Sequence, residues 1–230
     1  MPSANVWASS RPSPHSGNAS SSGRPRYQLP NGLEIFYLNR NETDFLYQEI
    51  FEEQGYFKHG IRLDDGACVF DVGANIGMFT LFVGLACNNP SIYSFEPIPD
   101  SFEALRLNAE LHGINARVFQ CGIADGARRE KFTYYPHVSI FSGRFADSDQ
   151  ERTIIKSFLM NLQQRSGNVA ALAGEEIDEL LAQRFTGKDV VCDLKSISEV
   201  IRENKIERID LLKIDVEKSE LDVLAGIEEN

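Results

Sequence analysis

Positive charge is in short supply in this sequence. Its 23 lysines and arginines stand against 34 aspartates and glutamates, a formal net charge of −11 over 230 residues. A surface of that sign repels a phosphate backbone, so nucleic acid is not expected as the main substrate. Long apolar runs are also missing: nothing approaches the ~20 residues that cross a bilayer, which argues against a membrane segment. The amino terminus lacks the basic-then-apolar layout of a secretory leader, so the chain reads as cytoplasmic and its Asn41-Glu42-Thr43 sequon as unglycosylated. Cysteine is sparse and scattered. Cys68, Cys87, Cys121 and Cys192 form no CxxC pair that would suggest zinc or redox work, and they read as reduced core thiols. No cluster of histidine and acidic residues has metal-ligand spacing, so metal-independent chemistry is expected.

What remains is an ordinary globular composition, 42% hydrophobic and 25% charged, enough for one domain with a sizeable core plus a tail. Residues 1–26 are rich in Ser, Pro, Asn, Gly and Arg and nearly free of apolar residues, which predicts a disordered linker. Residues 27–230 form the expected domain. It opens with a hairpin turning at Asn31-Gly32, then a helix capped by Thr43 or Asp44 that runs to about Gln54 and stops at Gly55. From Ala67 onward buried strands alternate with helices, the pattern of a parallel α/β sheet. Strands are predicted near 67–72, 91–96, 116–122 and 209–215, with helices over about 77–88 and 101–112. Residues 67–125 make the candidate cofactor-binding core. Between the third and fourth strands lie about 85 residues, unusually long for a crossover. They carry strand-like stretches at Glu130–Tyr135 and Asp189–Cys192 around a helical insert over 136–188, with helices near 149–164 and 174–184.

The chemistry concentrates where the first strand runs through a glycine-rich turn into a helix, Phe70-Asp71-Val72-Gly73-Ala74-Asn75-Ile76-Gly77. Such a turn aims backbone N–H groups and a positive helix end at a ligand. A dinucleotide fingerprint requires glycine at its middle position so that a pyrophosphate can approach, and here that position is Asn75. Asp71 would repel a pyrophosphate but attract an ammonium. The turn therefore suits S-adenosylmethionine better than NAD. Glu96, 25 residues after Asp71, follows the second strand beside Pro97, where a carboxylate accepts both hydroxyls of a ribose. Asp125, after the third strand, is expected to take the adenine amino group. Each of these residues also has a purely structural reading, as tight packing or a helix cap. Asn108 either bonds backbone near the site or lies on a solvated helix face.

Three blocks, VFDVGANIGMFT from Val69, FEPIPDSF from Phe95 and LKIDVEKSE from Leu212, resemble the FkbM-type methyltransferase family. The resemblance spans residues 30–230 and departs from the family's usual pattern at Lys218-Ser219, where Gly-Ala normally follows Val-Glu. It implies a Rossmann-like class I methyltransferase sheet and methyl transfer from S-adenosylmethionine, often to a hydroxyl oxygen of a natural product or sugar. The long insert and Ser/Pro-rich arm are similar to members embedded in polyketide or nonribosomal peptide assembly lines. The expected acceptor is accordingly a small molecule or a carrier-protein-bound intermediate, with neighbouring assembly-line domains as partners.

The resemblance also implies three further strands after the fourth, so the chain reads as a truncated fold, a fragment of a longer polypeptide with Ile209–Asp215 left as an edge strand. Oxygen methylation needs a base, and Asp215 at the end of the fourth strand is the first candidate, with Glu217 and His137 as competitors. Lys213 reads as a salt-bridge partner. An NAD-dependent oxidoreductase, a methyltransferase acting on nitrogen or carbon, and a non-catalytic docking module are the rival readings.

Overall fold

The computed structural model describes residues 23–166 and 174–228. The expected linker over residues 1–26 lies outside the described residues up to residue 22. From there the chain is engaged at once: Arg24 pairs with Asp100 at 3.0 Å, and the first strand begins at Arg26.

That strand, β1 (Arg26–Gln28), pairs antiparallel with β2 (Glu34–Phe36). The first helix, α1 (Arg40–Tyr47), starts earlier than the sequence suggested. Its cap is Asn39, whose side chain accepts from the Glu42 amide, while Thr43 sits inside the first turn and donates to the Asn39 carbonyl. The expected cap at Thr43 or Asp44 is thus displaced by a better-placed amide one turn earlier. The helix continues as a π-turn over Gln48–Glu52 and ends at Gln54, which takes a left-handed φ of 49°, not at Gly55.

The centre is a four-stranded parallel sheet of β3 (Cys68–Val72), β4 (Ser91–Phe95), β5 (Ala116–Phe119) and β9 (Leu211–Ile214), in the order β5-β4-β3-β9. Successive side chains of β3 and β4 point to opposite faces. Val69 and Ile92 pack with Phe79, Leu81, Phe82 and Val83 of α2 (Met78–Ala86) and with Ile35, Leu46 and Ile50 of the amino-terminal segment. Phe70, Val72, Tyr93 and Phe95 face the other way, onto Ile197 and Val200 of α6 (Ile197–Asn204) and Val223 of α7 (Glu220–Ala225). Both faces being covered explains why these strands read as continuous apolar runs.

The expected third strand over 116–122 is broken. After β5 the chain leaves the sheet, and β6 (Gly122–Ile123) pairs parallel with β8 (Lys188–Lys195) in a second sheet, where β7 (Arg128–Tyr134) runs antiparallel to β8. At the switch Gly122 is packed closely against Leu194 of β8, its register partner, a Cβ there falling 2.6 Å from Leu194 Cδ2. The two strand-like stretches flanking the insert therefore pair with each other, and α4 (Ser148–Ser166) and α5 (Gly174–Arg184) lie in the chain between them. All four cysteines are free. Among the described residues no helix is long and apolar enough to cross a membrane, and no His/Cys/Asp/Glu group could hold a metal ion.

Candidate functional site

The turn after β3 is built from left-handed residues: Gly73 at φ 77°, Asn75 at 49° and Gly77 at 87°. Gly73 is irreplaceable sterically, because a Cβ would meet the Asp215 carbonyl oxygen at 2.0 Å. The N–H groups of the turn all have acceptors within the protein. Gly73 and Ala74 donate to the Phe95 carbonyl (3.1 and 3.0 Å), Asn75 to Glu96 Oε2 (2.8 Å) and Ile76 to the Asn75 side chain (2.7 Å). The expectation that these groups aim at a ligand is corrected: the turn is laced to the end of β4 and offers no free row of donors to a pyrophosphate. Asn108 is fully buried in α3 (Pro99–Leu111), donating to the Ile76 and Phe36 carbonyls and accepting from the Phe36 amide. It bonds backbone beside the site and is not on a solvated face.

Glu96 is 6% exposed. Besides Asn75 it accepts from the Ile98 amide at 2.9 Å. Burial pushes its carboxyl up to about 7, against the opposing pull of those two amides.

Asp71 does not reach the cleft. Its register opposite Lys213 puts both on the sheet face covered by α2, where Lys213 Nζ lies 3.0 Å from one carboxylate oxygen and the Thr80 hydroxyl donates to the other at 2.7 Å. Because Thr80 has one proton and gives it to Asp71, its 2.7 Å contact with Ser94 must have Ser94 donating. Asp71 thus serves as the counter-ion of a buried lysine. Lys213 also donates to the Gly73 carbonyl at 2.6 Å and approaches Asp215 at 3.5 Å. Burial works to lower its pKa, but Asp71 and Asp215 together outweigh that and raise it. Tyr56, which the sequence did not single out, donates to Asp215 at 2.7 Å, with its ring 5.6 Å from the lysine nitrogen. Burial, then the charge of Asp215, raises its phenol above the usual value.

These groups border a cleft of about 220 Å³. It brings together Gly73, Ala74, Asn75, Glu96, Pro97, Asp215 and Glu217 from the expected set, and adds Lys213, Tyr56, Ser139 and Arg144. Glu217 is half-buried, its carboxyl raised by burial and then by the charges of Asp215 and Glu151. The Arg144 side chain is buried and engaged by Glu130 at 2.9 Å and by Asp222. Four expected residues stand apart. Asp71 lies beneath the cleft, as described. Gly77 packs the start of α2 against α3, where a Cβ would come 2.7 Å from Leu105 Cδ1. Asp125 is exposed and bound to Arg128, which holds its carboxyl below the usual range. His137 is exposed and takes part through its backbone carbonyl, which accepts from Asn39 at 2.8 Å.

A cleft at the carboxyl edge of a parallel sheet, with an acidic residue following the second strand, lies where open α/β sheets as a rule bind their ligands. The family model of the methyltransferase FkbM domain matches residues 71–230. The chain belongs to the FkbM methyltransferase family. The 31-O-demethyl-FK506 methyltransferase FkbM of Streptomyces tacrolimicus is 41% identical over 203 residues, covering 88% of this chain and 75% of that protein. AMB antimetabolite synthetase AmbE of Pseudomonas aeruginosa is also 41% identical, over 87% of this chain but 10% of its own length. Methyltransferase sdnD of Sordaria araneosa is 32% identical, covering 86% of this chain and 73% of that protein.

Proposed function

We propose that this FkbM-family methyltransferase uses S-adenosylmethionine and methylates a hydroxyl oxygen of a natural-product intermediate. The observation that carries this reading is Glu96, a buried carboxylate on the cleft wall beside a left-handed turn whose own N–H groups are occupied. Such a site suits a ligand that donates hydroxyls and brings positive charge, and it fits a pyrophosphate poorly. The residues fit the cofactor in that respect: Glu96 retains unused lone pairs for two ribose hydroxyls, and Asp215 faces the cleft with a negative charge for an ammonium or sulfonium. When bound, the cofactor supplies an electrophilic methyl group.

The chain's own residues divide the remaining work. Asp215 is gripped by Tyr56 and Lys213 and fixes the electrostatics of the cleft. Glu217 makes no side-chain hydrogen bond among the described residues, and its raised carboxyl makes it the better acceptor of the hydroxyl proton. The name of the Streptomyces relative specifies an oxygen acceptor, and the Pseudomonas relative, an antimetabolite synthetase, is in keeping with a natural-product acceptor.

The test is incubation with labelled S-adenosylmethionine and carrier-bound hydroxyacyl thioesters, alongside calorimetry of the cofactor alone. Glu217→Gln is expected to lower turnover by ~10²–10⁴-fold with cofactor affinity kept. If Asp215→Asn does so instead, the base is Asp215. Absence of cofactor binding would overturn the proposal.

A further inference from the structure

The family model begins at residue 71, yet the amino-terminal helix reaches into the turn it contains. Glu42, in the first turn of α1, accepts from the Ser139 amide at 2.9 Å, from the Ile140 amide at 3.1 Å and from the Ser139 hydroxyl. Ser139 is 5% exposed, and its Oγ also accepts from Asn75 Nδ2 at 3.0 Å. A serine hydroxyl has one proton. Here it goes to the carboxylate, so the oxygen's lone pair is turned toward Asn75. The bonds therefore have one direction, Asn75 to Ser139 to Glu42. At its other end Asn75 donates its backbone N–H to Glu96.

Asn75 holds a left-handed φ of 49°, a conformation that asparagine adopts more readily than other non-glycine residues and that its side-chain bonds fix here. Its side chain is held through Ser139 Oγ, through the Ile76 amide and by Glu42. Glu42 does not border the cleft, whereas Asn75, Ser139, Ile140 and Glu96 do. A carboxylate accepting three bonds from a loop 97 residues away, at the expense of its own hydration, has a specific geometry to maintain.

Resting on the reading of the Gly73–Asn75 turn and Glu96 as the cofactor cradle, we infer that Glu42 is a positioning residue. It sets the Asn75 conformation and the Glu96 carboxylate through Ser139 and through its own contact with the Asn75 side chain, so the amino-terminal helix is a working part of the cofactor site.

The experiment measures S-adenosylmethionine affinity by calorimetry for Glu42→Ala, Glu42→Gln, Ser139→Ala and the Glu42→Ala/Ser139→Ala double variant, at temperatures where circular dichroism shows each folded. Asp44→Ala serves as a control on the same helix, since the contacts it loses, the Tyr27 hydrogen bond and a 3.9 Å ion pair with Arg40, reach neither the Ser139 loop nor the Asn75 turn. Glu42→Ala should weaken binding by roughly tenfold or more, the size of a lost charge-assisted bond. Ser139→Ala should weaken it by about half as much on a logarithmic scale, since Glu42 keeps its own contact with Asn75, and the double variant should be no worse than Glu42→Ala, because Ser139 acts through Glu42. Glu42→Gln should recover part of the loss, as its amide oxygen replaces one acceptor while its NH₂ opposes a donor. Asp44→Ala should bind as wild type. Wild-type affinity in folded Glu42→Ala, or additive losses in the double variant, would overturn the inference.

Hydrogen exchange at the Asn75, Ser139 and Ile140 amides separates this from the functional reading. Faster exchange at Asn75 in Ser139→Ala supports the link even if wild type binds no S-adenosylmethionine, and unchanged exchange there refutes it whatever the cofactor is.

Discussion

The two sides of the cleft are made in different ways. On one side the turn after β3 is fixed by backbone geometry: a glycine with no room for a Cβ, left-handed residues at alternate positions, and a buried lysine bonded to the Gly73 carbonyl. On the other side the loop carrying Ser139 and Ile140 is held by side chains of the amino-terminal helix, Asn39 and Glu42, from far along the sequence. The first side is coupled to the core of the sheet; the second is tied on from outside it. Changes on the sheet side should therefore cost global stability, and changes on the loop side should alter binding while the fold survives.

The largest effect should come from Lys213→Met. The substitution keeps the length of the side chain but leaves Asp71, fully buried, without its counter-ion. Removing one partner of a buried pair costs about 3–5 kcal/mol, a loss readable by denaturant titration. Retention of wild-type stability would show that Thr80 alone satisfies Asp71. Gly73→Ala follows at about 3 kcal/mol, combining a left-handed alanine with overlap of the Asp215 carbonyl. It should lower the melting temperature and abolish cofactor binding together. Binding lost with stability intact would mean the turn is less tightly joined to β9 than the contacts imply.

Glu96 gives an intermediate effect and a distinctive pH signature. Its carboxyl is raised from 4.5 to about 7, so its contribution to stability is fully present below about pH 4.5 and is lost as pH rises through 7. Ribose hydroxyls, in contrast, donate best to the ionised form, so S-adenosylmethionine affinity should climb as pH passes through about 7, by ~1.5–3 kcal/mol between the limits. Stability and affinity should move in opposite directions. Glu96→Gln should flatten both profiles, and parallel profiles in wild type would exclude Glu96 as the ribose contact.

Much of the sheet side was legible in the sequence. The apolar runs of β3 and β4 and the turn between β3 and α2 locate Gly73, Asn75 and Glu96 without any tertiary information. The side to which Asp71 points was not legible, because a strand buried on both faces is apolar in both registers, and only its alignment with Lys213 of β9 decides the matter. Nor was the break in the third strand. The run Phe119-Gln-Cys-Gly-Ile123 looks continuous, and the switch shows only in the pairing of Gly122 with Leu194 of β8. The loop side was nearly silent, since Glu42, Ser139 and Tyr56 act across long sequence separations. One local signal did exist: Asn39 followed three residues later by Glu42 has the spacing of a capping box, which would have started α1 correctly. Glu42 uses that position differently, turning to Ser139 instead of back to the cap.

Asn39 offers the smallest and cleanest test of how the loop side is tied on. Its Oδ1 accepts from the Glu42 amide at 3.2 Å, capping α1, while its Nδ2 donates to the His137 carbonyl at 2.8 Å, tethering the loop that carries Ser139. Asn39→Asp keeps the cap, because aspartate is as good an acceptor at this position, but it removes the donor and sets a carboxylate against a carbonyl. Asn39→Ala removes both bonds. The alanine variant should therefore lose about 1 kcal/mol of stability, and the aspartate variant little, since caps and not the loop tether support the helix. Amide exchange in the loop should instead quicken in both variants alike. If Asn39→Asp were as destabilised as Asn39→Ala, the tether would belong to the core of the fold, and the contrast between a side fixed by backbone and a side tied on by side chains would fail at its outermost point.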